Sequence, residues 1–188
     1  MSAANQLPYL MTVATFLEWD TPDDSDRWEL IDGIPRTMAP PSDHHASIHG
    51  EAARLVGNHL AEHRPSWRVA IGAGLSPGEF NVRIPDLTVS CTPIAEDNRL
   101  LREPVAIVDI LSPSNAADTW GNIAAYETMP SVREILVLHT LEVRADLLLR
   151  REEDSTWPER RLSLSPRYTV TLQSIDFAAP LAAFYRTA

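Results

Sequence analysis

Two aspartates in this sequence are the residues best placed to do chemistry. Asp109 lies inside VAIVDIL, residues 105–111, a nearly continuous apolar run that is typical of a strand buried on both faces. A buried carboxylate needs a compensating cation, hydrogen-bond donor or proton. Asp86 follows Pro85 in IPDLTVS, and pairing of the two strands would bring both carboxylates to one end of a sheet. Two carboxylates and a backbone carbonyl are the type of ligand set that a hard cation such as Mg²⁺ selects.

The same aspartates have a simpler interpretation, which the sequence leaves open. Pro85-Asp86 can be an ordinary turn, and Asp109 can be neutralised by an arginine or can carry a proton. All 16 basic residues are arginine, so no mechanism that needs a lysine is available. The net charge of -10 disfavours long-range attraction to a polyanion, so any contact with nucleic acid must be local.

Histidine pairs offer a different kind of metal site. His45 and His49 are four residues apart, as are His59 and His63, so each pair can share one face of a helix. This spacing can hold Zn²⁺ and makes a zinc hydrolase a further alternative, but the HExxH pattern is absent and the third ligand must be guessed, which favours surface histidines. The motifs GxxxxGK[ST] and GxGxxG are also absent, and no nucleotide or organic cofactor is predicted.

The first half of the chain is predicted to begin with a helix and a hairpin. A short helix is expected over residues 12–20, followed by a polar turn in TPDDSD. Two apolar-rich runs flank Asp32-Gly33, which predicts a β-hairpin. Ser42 or Asp43 can cap a helix that runs to about His63 and buries a face of apolar residues at helical spacing.

The second half is predicted to contain a buried sheet. Strands are expected over residues 67–73, 82–91, 105–111 and 133–138. A Gly-rich, Pro-containing turn is expected to join the first two of these. A helix over residues 118–129 ends at Pro130. The C-terminal segments VRADLLLRR, RRLSLSP and YTVTLQSI alternate enough to predict edge strands or hairpins that cover the sheet.

Size and composition indicate one α/β domain. A chain of 188 residues with 44% hydrophobic residues can bury one substantial core and is short for two domains. Cys91 is the only cysteine, which excludes an intramolecular disulfide or a multi-cysteine zinc site and favours a reducing compartment. No apolar run approaches the roughly 18 residues of a membrane span, and no signal-peptide pattern opens the chain. We therefore expect a cytoplasmic protein without membrane partners.

Several motifs in a fixed order resemble a known family. WELIDG, PPSDHHASI, IPDLTVS, VDILSPSN and a D-x3-N-x3-Y helix followed by PSVREILVL extend from Trp28 to Leu138. In combination they resemble the Uma-type putative restriction endonuclease family of the PD-(D/E)xK nuclease superfamily. The resemblance implies an α/β, restriction-endonuclease-like core in which a mixed β-sheet is flanked by helices, with additional β-hairpins. That core would span about 28–140 of a single domain, 1–188, with an N-terminal helical arm and a C-terminal β extension.

The resemblance also implies which residues form the site. Asp86 corresponds to the aspartate of the PD motif, and Asp109 stands where the second acid belongs. The family lysine is typically found on the following helix, four residues after an aspartate and four before a tyrosine. Asp118 and Tyr126 match those two flanking positions, and Asn122 stands where the lysine is expected. Asparagine can donate a hydrogen bond but brings no positive charge.

Two further residues match family positions. Glu29, in WELIDG, stands where the family usually has an acid, and it could bridge a metal or support the metal ligands. Its alternative is an acid on the surface of a strand. His45 matches a histidine early in the first long helix, where it could bond a phosphate or orient a water. Its alternative is a half-exposed residue at the start of a helix.

These residues support two main functional hypotheses. In the first, Asp86, Asp109 and the carbonyl of Ile110 hold Mg²⁺ or Mn²⁺ for hydrolysis of DNA, and Asn122 positions the attacking water. In the second, the chain is a catalytically dead nuclease fold that acts as a binding or assembly module, as the missing lysine and the acidic net charge suggest. A homodimer is expected because nucleases that cut both strands often pair symmetrically.

Overall fold

A computed structural model describes residues 10–21, 27–96 and 99–188. Its helices are α1 (Val13–Leu17), α2 (Asp43–His63) and α3 (Ala116–Glu127). Its strands are β1 (Trp28–Ile31), β2 (Ile34–Thr37), β3 (Arg68–Ile71), β4 (Leu75–Gly78), β5 (Asn81–Arg83), β6 (Leu87–Ser90), β7 (Ala106–Leu111), β8 (Glu134–His139), β9 (Ala145–Leu149), β10 (Leu162–Leu164), β11 (Thr169–Leu172) and β12 (Phe177–Pro180). The predicted TPDDSD turn falls largely on residues 22–26, outside the described ranges. Within those ranges, no helix combines the length and apolar character needed to cross a membrane.

The largest sheet has six strands in the order β10-β9-β8-β7-β6-β3. Strands β7 and β8 are parallel, and α3 connects them, because parallel neighbours need a crossover connection. The other neighbouring pairs in this sheet are antiparallel. The expected α/β architecture, a mixed sheet flanked by helices with additional hairpins, is therefore confirmed.

A smaller sheet carries the predicted hairpin. Its strand order is β2-β1-β5-β4, and β1 and β2 are joined by Asp32 and Gly33. These two residues have positive φ angles of 49° and 78°, as a type I′ hairpin turn requires. A Cβ on Gly33 would lie 2.8 Å from the Cβ of Leu10, so both the conformation and the close approach require glycine.

The region between residues 73 and 91 differs from the prediction. The expected turn contains strand β4, and the expected strand over residues 82–91 is two strands, β5 and β6, that belong to different sheets. Pro85 lies in the interruption, where its missing N–H cannot contribute to a ladder. The break separates Arg83, at the end of β5, from Asp86, just before β6.

The core has two faces because β7 alternates across the large sheet. Val108 and Ile110 pack on the side that faces α2, whereas Ile107 and Leu111 pack on the side that carries Ile123 and Tyr126 of α3. Asp109 is two residues from both Ile107 and Leu111, so its side chain lies on the same face of the strand as theirs. Its carboxylate therefore lies on the α3 side of the sheet.

The C-terminal segment packs against α2. Val170, Leu172 and Phe184 belong to the same buried cluster as Ile48 and Val56 of α2. Burial of side chains this far apart in sequence supports the single-domain organisation, which stays a prediction.

Glu134, at the start of β8, is a buried carboxylate that holds the C-terminal segment. It is 3% exposed and accepts hydrogen bonds from the backbone N–H groups of Gln173 and Ser174 and from the Ser174 hydroxyl. Burial raises the pKa of Glu134, although the bonds from Ser174 and Gln173 lower it in part. The carboxyl group therefore binds its proton more tightly in the folded than in the unfolded protein.

This raised pKa predicts a pH-dependent loss of stability. Glu134 favours folding fully below its unfolded pKa, and that contribution is lost as the pH rises through the higher folded pKa. We expect Glu134→Gln to become more stable relative to wild type as the pH rises from about 4 to about 7. The difference between their free energies of unfolding should grow by about 1.4 kcal/mol for each unit by which folding raises the pKa of Glu134. Urea unfolding across this range measures the difference, and Glu62→Gln, on the exposed face of α2, is the control. A difference that does not change with pH would contradict the prediction.

Candidate functional site

Asp86 and Asp109 meet where β6 and β7 begin to pair. The backbone N–H of Asp86 donates to Oδ1 of Asp109 at 3.0 Å, and the N–H of Ile110 donates to Oδ2 of Asp86 at 2.8 Å. The N–H and C=O of one strand residue point to the same edge of the strand, so the Ile110 carbonyl also faces Asp86. The structure thus brings together the three groups that the sequence suggested as metal ligands.

Asp109 is in an unfavourable electrostatic environment. It is 5% exposed. Burial raises its pKa well above the usual range, and the negative charges of Asp86 and Glu29 raise it further, whereas the hydrogen bond from Asp86 lowers it. A carboxylate held in this way is stabilised by a nearby cation.

Glu29, on β1, is part of the same group of acids. It is 7% exposed, so it is not an acid on the surface of a strand. Its Oε1 accepts a hydrogen bond from the N–H of Ile84 at 2.7 Å and a longer one from Nδ2 of Asn122 at 3.4 Å. Burial raises the pKa of Glu29, although the bond from Ile84 and the charge of Arg83 lower it. Glu29 therefore links the small sheet to α3.

Arg83 is a site residue that sequence reasoning missed. It is 6% exposed, and its guanidinium donates to Oδ1 of Asn122 at 2.9 Å and to Oδ1 of Asn81 at 2.8 Å. A buried arginine is uncommon without a partner. The sequence feature that could have revealed Arg83 is its position in NVRIPDL, three residues before the candidate ligand Asp86. The prediction of one continuous strand, however, gave no reason for its side chain to approach α3.

Tyr126 and Asp118 lie on opposite sides of Asn122. Tyr126 is fully buried, and its hydroxyl has no hydrogen-bond partner within the described part of the chain. Burial raises its pKa well above the usual range, and the charge of Asp109 is the next cause. Asp118 is exposed on the first turn of α3, and its charge contributes to the raised pKa of Glu29.

A cleft of about 430 Å³ opens next to this group between the small sheet and α3. Arg36 and Arg83 line it, and so does Asp118. Arg36 is exposed on β2, whereas Arg83 is buried at the inner end of β5. The cleft therefore presents two guanidinium groups, of which Arg83 is connected to Glu29 through Asn122.

His45 reaches the acids from the start of α2. Ser42 caps this helix by accepting a hydrogen bond from the N–H of His45 at 3.3 Å. Nε2 of His45 lies 2.8 Å from Oδ1 of Asp86, and the His45 side chain is 12% exposed. His45 is therefore positioned by a helix cap, which the sequence predicted, and by the carboxylate of Asp86, which the sequence did not predict.

The donor groups fit a divalent metal ion of the kind that the sequence suggested. The two aspartates and the Ile110 carbonyl are oxygen donors, which Mg²⁺ and Mn²⁺ prefer. Among the described residues the hydroxyl of Tyr126 has no hydrogen-bond partner, and the pKa of Asp109 is raised, so the described part of the chain does not by itself satisfy this region.

Comparisons with known proteins agree with the family resemblance of the sequence and with the fold. A family model described as Uma2, putative restriction endonuclease, matches residues 13–179. A crystal structure of a putative nuclease belonging to DUF820 from Anabaena variabilis aligns with a TM-score of 0.75 and 17% sequence identity. The alignment covers 94% of this chain and 98% of that chain, and it shows a shared fold. The search of curated proteins finds no match.

Proposed function

The chain belongs to the Uma2 family of putative restriction endonucleases, and on this premise we propose that it is a metal-dependent endonuclease that hydrolyses DNA phosphodiester bonds. The observation that carries the proposal is the reciprocal contact of Asp86 and Asp109, in which each aspartate binds the backbone of the other strand. Asp109 is buried and Asp86 is partly buried, and two such carboxylates are seldom held together unless a cation or a proton compensates them.

Asp86, Asp109 and the Ile110 carbonyl would hold the metal ion, Mg²⁺ or Mn²⁺. When bound, such an ion lowers the pKa of water and offsets charge on the scissile phosphate. The carboxylates of Asp86 and Asp109 need no large rearrangement for this role, because backbone N–H groups already fix one oxygen of each. Preorganised ligands reduce the cost of assembling the charged site.

Asn122 and Glu29 would position the attacking water. The Asn122 amide is held from both ends, since its oxygen accepts from Arg83 and its Nδ2 lies 3.4 Å from Glu29. Asn122 can therefore orient a water only together with these two neighbours. Glu29 can accept the water proton because its raised pKa makes it a stronger base than an exposed glutamate.

Arg83 would supply the positive charge that Asn122 lacks. Its guanidinium contacts the side chain that stands at the family lysine position, with 2.9 Å between NH1 of Arg83 and Oδ1 of Asn122. Its charge also reaches Glu29 and Tyr126, where it partly offsets the rise in pKa that burial causes. A guanidinium remains protonated at any physiological pH and offers several donors to a phosphate.

DNA would reach the site through the cleft that Arg36 and Arg83 line. Guanidinium groups bind phosphate oxygens in a bidentate manner. With a net charge of -10, attraction must depend on such local contacts rather than on the field of the whole protein. Homodimer formation and a cytoplasmic location stay predictions.

Cleavage of supercoiled plasmid in Mn²⁺ tests the proposal directly. We expect wild-type protein to convert supercoiled DNA to nicked and then linear forms in Mn²⁺ or Mg²⁺, and EDTA to stop the reaction. Parallel incubation with an RNA of the same length tests the assignment of DNA as the substrate. No cleavage in either metal at protein concentrations above that of the plasmid would contradict the proposal.

A second candidate function is a nuclease fold that binds DNA or a partner without cutting. Asn122 at the lysine position is the observation that favours it. In that case Asp86 and Asp109 would be a structural pair, and calorimetry would detect no saturable Mn²⁺ binding. Tight Mn²⁺ binding that Asp109→Ala abolishes would count against this candidate.

A further inference from the structure

His45, His49 and Asp86 form a cluster that the proposed nuclease mechanism does not use as a unit. One ligand atom from each lies within 4.8 Å of the others. Nε2 of His45 is 2.8 Å from Oδ1 of Asp86, and the rings of His45 and His49 are 6.3 Å apart between centroids and nearly perpendicular. Asp86, in the loop before β6, is therefore the third candidate ligand that the spacing of the histidines did not reveal.

His49 shows that this cluster is incomplete. Its Nε2 is buried and has no hydrogen-bond partner within the described ranges. A buried imidazole nitrogen without a partner loses its hydrogen bond to water and gains nothing in return. A metal ion bound jointly with Asp86 would satisfy it.

The other histidine pair on α2 provides an internal comparison. His59 and His63 have the same spacing, but Nε2 of His59 is bonded to the carbonyl of Ile175 at 2.9 Å, and Nδ1 of His63 is bonded to the carbonyl of His59 at 3.0 Å. Their rings stack at 4.5 Å. This pair has protein partners, and among the described residues it forms no three-residue cluster with a carboxylate. The two pairs therefore differ in their surroundings and not in their helical spacing.

We propose that His45, His49 and Asp86 bind a transition metal ion such as Zn²⁺ or Co²⁺ at a position separate from the one between Asp86 and Asp109. Two imidazoles and a carboxylate select borderline metal ions rather than Mg²⁺, and three protein ligands leave a position open for water or a phosphate oxygen. Asp86 can serve both positions because Oδ1 faces His45, whereas Oδ2 faces the β7 backbone. The inference shares Asp86 with the proposed function but requires neither DNA cleavage nor Asp109.

Visible absorption of Co²⁺ bound to protein without an affinity tag tests the proposal. Wild-type protein is expected to develop d–d bands that saturate at about one equivalent of Co²⁺ and persist in excess Mg²⁺, because imidazole ligands do not favour Mg²⁺. His49→Gln is expected to weaken Co²⁺ binding by at least about 10–100-fold. His63→Gln, on the same helix, is the matched control and should bind like wild type.

Asp109→Asn separates this site from the proposed nuclease site. It should keep the Co²⁺ bands, because Asp109 is not a ligand of the histidine site. Loss of the bands in Asp109→Asn would instead indicate one shared metal position and overturn the proposal while leaving the nuclease function in place. Absence of bands in wild type, their retention in His49→Gln, or their loss in His63→Gln would also overturn it. Normal Co²⁺ binding without plasmid cleavage would contradict only the proposed function.

Discussion

Replacing Asp109 by alanine is expected to reduce Mn²⁺-dependent nicking of plasmid by at least about 10³-fold, because the change removes one of the two carboxylates that would hold the metal. Asp109 is 5% exposed, and burial raises its pKa, so its negative charge does not stabilise the folded protein. We therefore expect the variant to fold, with a thermal midpoint close to that of wild type in EDTA. Rates of conversion from supercoiled to nicked DNA measure the effect.

Two further variants make this experiment decisive. Asp86→Ala should lose activity to a similar extent, since it removes the other carboxylate as well as the partner of His45. Asp154→Ala removes an exposed carboxylate from the loop between β9 and β10 and should retain wild-type activity. Wild-type nicking by Asp109→Ala or Asp86→Ala would show that these carboxylates do not hold the catalytic metal.

Replacing Arg83 by glutamine is expected to reduce nicking by about 10²–10³-fold, because it removes the positive charge that we assign to the missing lysine. Glutamine can still donate to Asn122, so the local hydrogen bonding is partly preserved. The loss should appear in kcat more than in KM if the charge acts on the transition state.

A second substitution distinguishes charge from packing. Asn122→Lys in the Arg83→Gln protein places an ammonium next to Glu29, whose Oε1 lies 3.4 Å from the Asn122 amide nitrogen. Recovery of at least about tenfold in the double variant would show that the site needs a cation, which a structural role of Arg83 does not predict. Wild-type nicking by Arg83→Gln, or no recovery in a folded double variant, would contradict our assignment.

Asn122→Lys alone separates the remaining possibilities. With Arg83 present, the new ammonium would lie next to a guanidinium, so we expect a smaller gain than in the double variant. An inactive wild type with an active Asn122→Lys would indicate a nuclease scaffold inactivated at one position. Inactivity of wild type and of every lysine variant would favour a binding module.

The acid pair could be predicted from the sequence because both aspartates have strong local signals. Asp109 interrupts an apolar run, and Asp86 follows Pro85, so each was recognisable within a few residues. Their meeting required only that β6 and β7 pair, and the register places Leu87 opposite Val108. The hairpin at Asp32-Gly33 was predictable for the same reason, since its turn chemistry is local.

The roles of Arg83 and His49 depend on contacts that no local pattern encodes. Arg83 reaches Asn122 because β5 belongs to the small sheet, where it pairs with β1 at Leu30 opposite Val82. His49 has a ligand partner only because the start of α2 lies against the loop before β6. Pairings between distant segments are set by tertiary packing rather than by local propensity.

The interruption at Pro85 has a mechanical consequence. Arg83 and Glu29 belong to the small sheet, whereas Asp109 belongs to the large one, so this short junction determines how the two halves of the site stand relative to each other. A proline ring fixes one backbone torsion there, and the N–H of Ile84 is bonded to Glu29. Pro85 and this hydrogen bond therefore restrict the movement of the two sheets relative to each other at this junction. In the proposed reaction, the charged groups of both sheets would be assembled before the substrate arrives, which would keep the reorganisation energy small.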